Sequence, residues 1–196
     1  MSPTRHAIIY AMMLFSSSRE RNLWACAAAV MAAIYSTLGL ARSLADALAG
    51  TGVGEGLFVV GCFGVLGVLV TRGLTERPGG AEMIVALGIA TAYLLVFARM
   101  AVPTERSHLI EYGIVAVLIQ EALAERAAQG RRVPVPAVLA VVSTALLGTL
   151  DEFIQLLVPG RFFDRVDILF NVLAAVMAVA ASEALGWTRR RFRRSP

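Results

Sequence analysis

The sequence predicts an all-α protein, a polytopic transmembrane bundle of about six helices with both termini in the cytoplasm. Three observations carry this. First, 58% of the 196 residues are hydrophobic and 16% are charged, whereas soluble domains carry roughly 25% charged residues; mean hydropathy is +0.71. Second, six apolar segments reach the length of a membrane-crossing helix, at 23–42, 55–72, 82–100, 107–125, 134–157 and 166–187. Third, the arginines sort. Lysine is absent and all 18 basic residues are arginine. With six spans, one side holds Arg5, Arg19, Arg21, Arg72, Arg77, Arg126, Arg131, Arg132 and the tail arginines 189, 190, 191, 193 and 194. The other side holds only Arg42, Arg99, Arg106, Arg161 and Arg165. The positive-inside rule places the richer side, and both termini, in the cytoplasm. An odd number of spans would scramble this sorting.

Residues 1–22 form an N-terminal segment. Its apolar stretch Ala7–Phe15 is too short to span and lacks a small-x-small cleavage site, so it reads as an interfacial helix. The bundle occupies 23–187. Its second segment is glycine-rich (Gly54, Gly56, Gly61, Gly64, Gly67), which suits close helix packing. Cys26 and Cys62 each lie inside an apolar segment and are expected to be small buried hydrophobes. Arg42 and Asp46 are four apart, the spacing of a local pair, and Arg99 is expected to snorkel outward from segment three. Glu121 and Glu125 are expected to pair with the nearby Arg126, and Glu183 to face the arginine tail. Pro134 and Pro136 open segment five, where a first helical turn tolerates proline. Pro103 and Pro159-Gly160 mark turns, and the latter folds segments five and six into an antiparallel hairpin. Residues 188–196 are a basic cytoplasmic tail suited to anionic lipid heads. The net charge of +4 comes from that tail and is no nucleic-acid signal.

The richest chemistry lies between Asp151 and Asn171. Asp151, Glu152, Gln155, Arg161, Asp164, Asp167 and Asn171 fall within 21 residues, between two apolar segments. Ionisable groups at membrane depth persist mainly where they pair, face a wet cavity or do chemistry. Asp151 and Gln155 share a helix face, with Glu152 about 100° round from Asp151. Asp164, Asp167 and Asn171 form one stripe on the last helix, across the hairpin, and Asp164 suits its N-cap. Mutual satisfaction that merely fixes the hairpin is one reading. Against it, four carboxylates facing Arg161 and Arg165 leave excess negative charge, which a proton, a cation or a ligand must balance. A second set opens segment four: Glu105, Arg106, His108, Glu111 and Tyr112. His108, Glu111 and Tyr112 lie at i, i+3, i+4 on one face, where a histidine–carboxylate pair suits acid/base work or packing. The Arg sorting puts both sets at the outer membrane surface. No H-x-x-x-H, H-E-x-x-H or D-D-x-x-D spacing is present, nor a G-x-S-x-G, P-loop or dinucleotide motif, so neither a metal nor a cofactor is expected.

At these residues the sequence resembles the VanZ-like family of membrane proteins over about 105–178. Asp151, Glu152 and Gln155 match its D-E-x-x-Q element, Pro159, Gly160 and Arg161 its P-G-R turn, and Asp167 and Asn171 its D-x-x-x-N element. Ala174 and Ala178 occupy its small positions. His108 and Tyr112 match its K-x-x-H-F-x-x-Y element, but Glu105 stands at the lysine and Leu109 at the aromatic. The resemblance implies a cell-envelope setting in the bacterial inner membrane; the founding member is an accessory factor in resistance to glycopeptide antibiotics of the teicoplanin type.

Three functions fit these residues. The favoured one is a non-catalytic membrane protein whose outward-facing polar pocket binds an envelope lipid, a lipid-linked cell-wall precursor or a glycopeptide. Arg161 and Arg106 would hold an anion there, and Asp151, Glu152 and Gln155 would shape the pocket. The alternatives are an accessory subunit docking against other membrane protein subunits, and a membrane-embedded enzyme acting on a lipid or lipid-linked sugar, with His108 or Glu111 as base.

Overall fold

The computed structural model describes residues 15–48, 80–99, 103–158 and 163–192. These are all-helical: five helices and no strands among the described residues. The Ala7–Phe15 and 55–72 segments, Cys62, the Arg42 and Asp46 side chains, and the Pro159-Gly160-Arg161 turn lie wholly or largely outside them.

Helix α1 spans Ser18–Leu48. Its start is held by a reciprocal cap: the Ser17 hydroxyl accepts from the Glu20 N–H at 3.0 Å, and the Glu20 carboxylate accepts from the Ser16 N–H at 2.6 Å. Both bonds satisfy amides that a helix start leaves without a partner. Its inward stripe of Glu20, Ala27, Met31 and Ile34 is buried. Cys26, expected inside, is exposed; it sits one step round from Ala27, on the face turned away from the bundle. An apolar segment says nothing about which of its faces meets protein.

Helix α2 spans Gly80–Arg99 and packs on the last helix, leaving Met83, Ile84, Leu87, Leu94 and Leu95 exposed. Helix α3 spans Pro103–Ala128. Proline fits its first turn, where no intrahelical donor is lost, so Pro103 begins the helix rather than a turn. Gly130, at φ +82°, ends it. The Gly130 N–H bonds the Ala127 carbonyl at 3.0 Å and the Arg131 N–H bonds the Arg126 carbonyl at 3.3 Å. That pair of bonds is a Schellman cap, and its left-handed residue favours glycine.

Helix α4 spans Pro136–Gln155 and helix α5 spans Arg165–Phe192. Proline opens α4 as expected, but its N-cap, Val135, is left-handed at φ 40°, a strained state for a β-branched residue. Asp164 caps α5 as expected, its carboxylate accepting from the Val166 N–H at 2.8 Å.

Helix α3 is the central element, with α1, α4 and α5 against it. Its Leu109, Tyr112, Val115, Ala116 and Ile119 form the core with Ala140 of α4 and Ala174, Ala175 and Val179 of α5. The small stripe works as close packing: a Cβ on Gly113 would lie 3.6 Å from the Ala178 Cβ.

Ion pairs fix which ends meet. Arg19 joins Glu121 at 2.7 Å and Glu125 at 3.2 Å, and Arg126 joins Glu20 at 2.9 Å. Gln120 donates to Glu183 at 2.6 Å, Glu183 meets Arg190 at 3.9 Å, and Arg189 pairs with Glu82. The expected pairing of Glu121 and Glu125 with Arg126 is thus replaced by pairing with Arg19 of α1. Positions one and five apart on a helix do not face each other, and the neighbouring helix start supplies a better-placed arginine. The starts of α1, α2 and α4 therefore share one end of the bundle with the finishes of α3 and α5. We call it the Arg-rich end.

Among the described residues, two helices are long and apolar enough to cross a membrane, Pro136–Gln155 and the Arg165–Arg191 stretch of α5. The apolar stretch Gly80–Val96 is shorter, and α3 carries Glu111, Glu121 and Glu125 along its length.

Candidate functional site

The end of α4, the start of α3 and the start of α5 meet opposite the Arg-rich end, and they bring the two sequence clusters together. On α4, Asp151, Glu152 and Gln155 are all buried, continuing a face that begins at Thr144 and Gly148. These positions recur every three or four residues, so one side of the helix carries them all. The Gln155 amide donates to Glu152 at 2.9 Å and to Asp151 at 3.4 Å. The second Glu152 oxygen accepts from the Asp164 backbone N–H at 2.9 Å, locking the end of α4 to the start of α5.

From α3, His108 and Tyr112 enter the same region, 7% and 0% exposed. Their rings stack in parallel, 5.7 Å apart and 3° from coplanar. The Tyr112 hydroxyl lies within electrostatic reach of Asp151. Glu111, partly buried, is within reach of His108 and Asp151, and Glu152 of His108, Asp151 and Asp167.

Asn171 of α5 is fully buried, and its side-chain oxygen lies 2.8 Å from His108 Nδ1. Its amide nitrogen makes a longer contact, 3.5 Å, to the Gly148 carbonyl. The stripe expected across α5 therefore divides. Asn171 turns inward to α3, Asp167 is half-buried beside Glu152, and Asp164 stays at the rim as a cap.

Of the twelve residues in the two sequence clusters, nine thus gather at one end of the bundle; Arg161 and the side chains of Glu105 and Arg106 lie outside what is described. Three further residues join them. Gly148 admits Asn171: a Cβ there would come within 2.7 Å of the Asn171 Cβ. Thr144 is buried one turn before it, its hydroxyl without a hydrogen-bond partner among the described residues. Tyr35 of α1 donates to the Leu147 carbonyl at 3.1 Å and lies within reach of Asp151. Extending the α4 stripe backwards from Asp151 by three and seven residues would have found Gly148 and Thr144; nothing local in α1 announces Tyr35.

Chemically, the site offers acceptors in excess. Five carboxyl groups gather there, Glu111, Asp151, Glu152, Asp164 and Asp167, and the hydrogen-bond partners of Glu152 are an amide and a backbone N–H, neither of which carries charge. No group of three or more metal-ligating side chains converges among the described residues. The chain matches no family model, no curated protein and no solved structure.

Proposed function

We propose that this chain is a VanZ-like protein of the bacterial inner membrane, a six-span bundle with cytoplasmic termini. Its outward-facing polar pocket binds the headgroup of an envelope lipid or cell-wall precursor, an accessory role of the glycopeptide-resistance type. The observation that carries the reading is the burial of His108, Tyr112, Asp151, Glu152, Gln155 and Asn171 together at the end opposite the arginines. Buried polar groups concentrated at one end of an otherwise apolar bundle mark a site rather than a core.

Two features support the membrane-spanning part. Val138, Val142, Leu146, Leu150 and Phe153 of α4 and Leu169 and Val176 of α5 are exposed, an outer surface suited to lipid. Helices α1 and α2 both start at the Arg-rich end, the sorting expected of the first and third spans of a six-span chain.

The test is native mass spectrometry of the protein released gently from its own membrane. A retained lipid or precursor headgroup is expected, lost in Arg161→Ala and in Glu152→Gln while both variants stay folded. Normal folding and unchanged ligand retention in both variants would sink the pocket. A defined protein partner with no retained ligand would replace it with the accessory-subunit reading.

A further inference from the structure

His108 is one of only two histidines in the chain, and its surroundings determine which ring nitrogen carries the proton. A backbone carbonyl can only accept, so the Gly148 oxygen takes the NH2 side of the Asn171 amide. The amide oxygen is thereby the atom facing His108 Nδ1 at 2.8 Å. An oxygen acceptor at that distance requires Nδ1 to donate, and a neutral imidazole whose Nδ1 is protonated has a bare Nε2. Stacking on Tyr112 fixes the ring plane. Gly148 is part of the device, because any side chain there would displace Asn171.

We propose that Gly148 and Asn171 are positioning residues that hold His108 in the Nδ1–H tautomer and make Nε2 the hydrogen-bond acceptor of the site. The partner it selects is a lipid headgroup bearing a donor, a hydroxyl or a primary ammonium; this half presupposes the headgroup site proposed above. The groups around the imidazole agree with a donor ligand. Glu111 from its own helix, and Asp151 and Glu152 from α4, are all acceptors when ionised; Asp167 of α5 stands behind Glu152, and Tyr112 closes one face of the ring.

The experiment is 15N NMR of the ring nitrogens in full-length protein carrying His6→Gln, which leaves His108 as the single reporter, at a pH where the ring is neutral. In phosphatidylcholine nanodiscs, Nδ1 is expected to show the pyrrole-like shift and Nε2 the pyridine-like shift. Asn171→Asp keeps that assignment, since a carboxylate oxygen still accepts from Nδ1, whereas Asn171→Leu and Gly148→Ala lose it. An Nε2–H ring in the parent protein overturns the relay by itself, even if a variant fails to fold. The ligand half is read by changing the lipid. Phosphatidylethanolamine or phosphatidylglycerol, whose headgroups carry donors, should move the Nε2 resonance toward the hydrogen-bonded range, and phosphatidylcholine, which has none, should not. Identical Nε2 shifts in all three lipids overturn the donor headgroup and leave the tautomer assignment standing.

Discussion

At the Arg-rich end of the bundle, Glu20, Glu82, Glu121, Glu125 and Glu183 each lie against an arginine. At the opposite end, Glu152 is held by the Gln155 amide and the Asp164 N–H, and Asp164 by the N–H of Val166. Both ends fasten helices to one another, but they do so with different chemistry. Ion pairs between acids and arginines cancel their own charge and leave nothing for a ligand to do. The neutral donors on Glu152 do not cancel a charge on its carboxyl, as a guanidinium would. On the proposed function, the contrast separates a scaffold end from the pocket end on the basis of charge.

The sharpest way to break this contrast is Gly148→Ala. Its Cβ would meet Asn171 at 2.7 Å. Because the Asn171 Cβ cannot swing away without its backbone, α4 and α5 must separate, a destabilisation of about 1–3 kcal/mol, measurable as a lower unfolding midpoint in detergent. Next comes Glu20→Gln at the scaffold end. Burial alone would push the Glu20 carboxyl up, but the Ser16 N–H and the Arg126 guanidinium outweigh it and hold the group below its usual range. A depressed acid stabilises the fold above its unfolded-state pKa and loses that contribution as pH falls through the folded-state value. The variant should therefore be about 1–2 kcal/mol less stable at neutral pH, with the gap closing on acidification below the ordinary carboxylate range. A gap that stays constant down to low pH would remove the charge from the explanation.

Glu152→Gln tests the pocket end. It keeps an acceptor for the Asp164 N–H and can still bond Gln155, so folded stability should change by less than about 1 kcal/mol while headgroup retention falls. A large stability loss with retention intact would make Glu152 a structural brace and erase the contrast. Smaller still, Arg19→Ala removes pairs at a side chain that is 64% exposed. Its effect on the unfolding midpoint should be slight and should vanish in high salt, because exposed ion pairs are screened. Smallest is Val135→Gly, which relieves the left-handed N-cap at φ 40° but adds chain entropy to the unfolded state. The strain relieved, about 1–3 kcal/mol, slightly exceeds the glycine entropy cost of about 0.5–1 kcal/mol, so a small rise in midpoint is expected.

What the sequence made legible was what repeats locally. The hairpin expected over 134–157 and 166–187 is found as Pro136–Gln155 and Arg165–Phe192, with Asp164 as its cap. The face shared by Asp151 and Gln155 followed from helical spacing alone and is buried as that spacing implies; Ala174 and Ala178, singled out only through the VanZ-like resemblance, are buried too. Contacts between distant segments leave no such trace. Arg19 reaches Glu121 across more than a hundred residues, and Tyr35 reaches the Leu147 carbonyl across a similar distance. The inward turn of Asn171 toward His108 was hidden for the same reason, since its helix spacing groups it equally well with Asp164 and Asp167. Exposure of Cys26 was missed because apolar character does not distinguish a face turned to protein from one turned outward.

The contact between Gly148 and Asn171 also constrains how such a chain can change over generations. A side chain gained at position 148 has no room unless position 171 first becomes smaller, and a smaller residue at 171 strips His108 of its companion. The three positions are therefore expected to vary as a linked set among descendants of this sequence. A lineage that abandons the glycine should already have abandoned the asparagine, and a lineage that keeps all three is still selecting for the histidine.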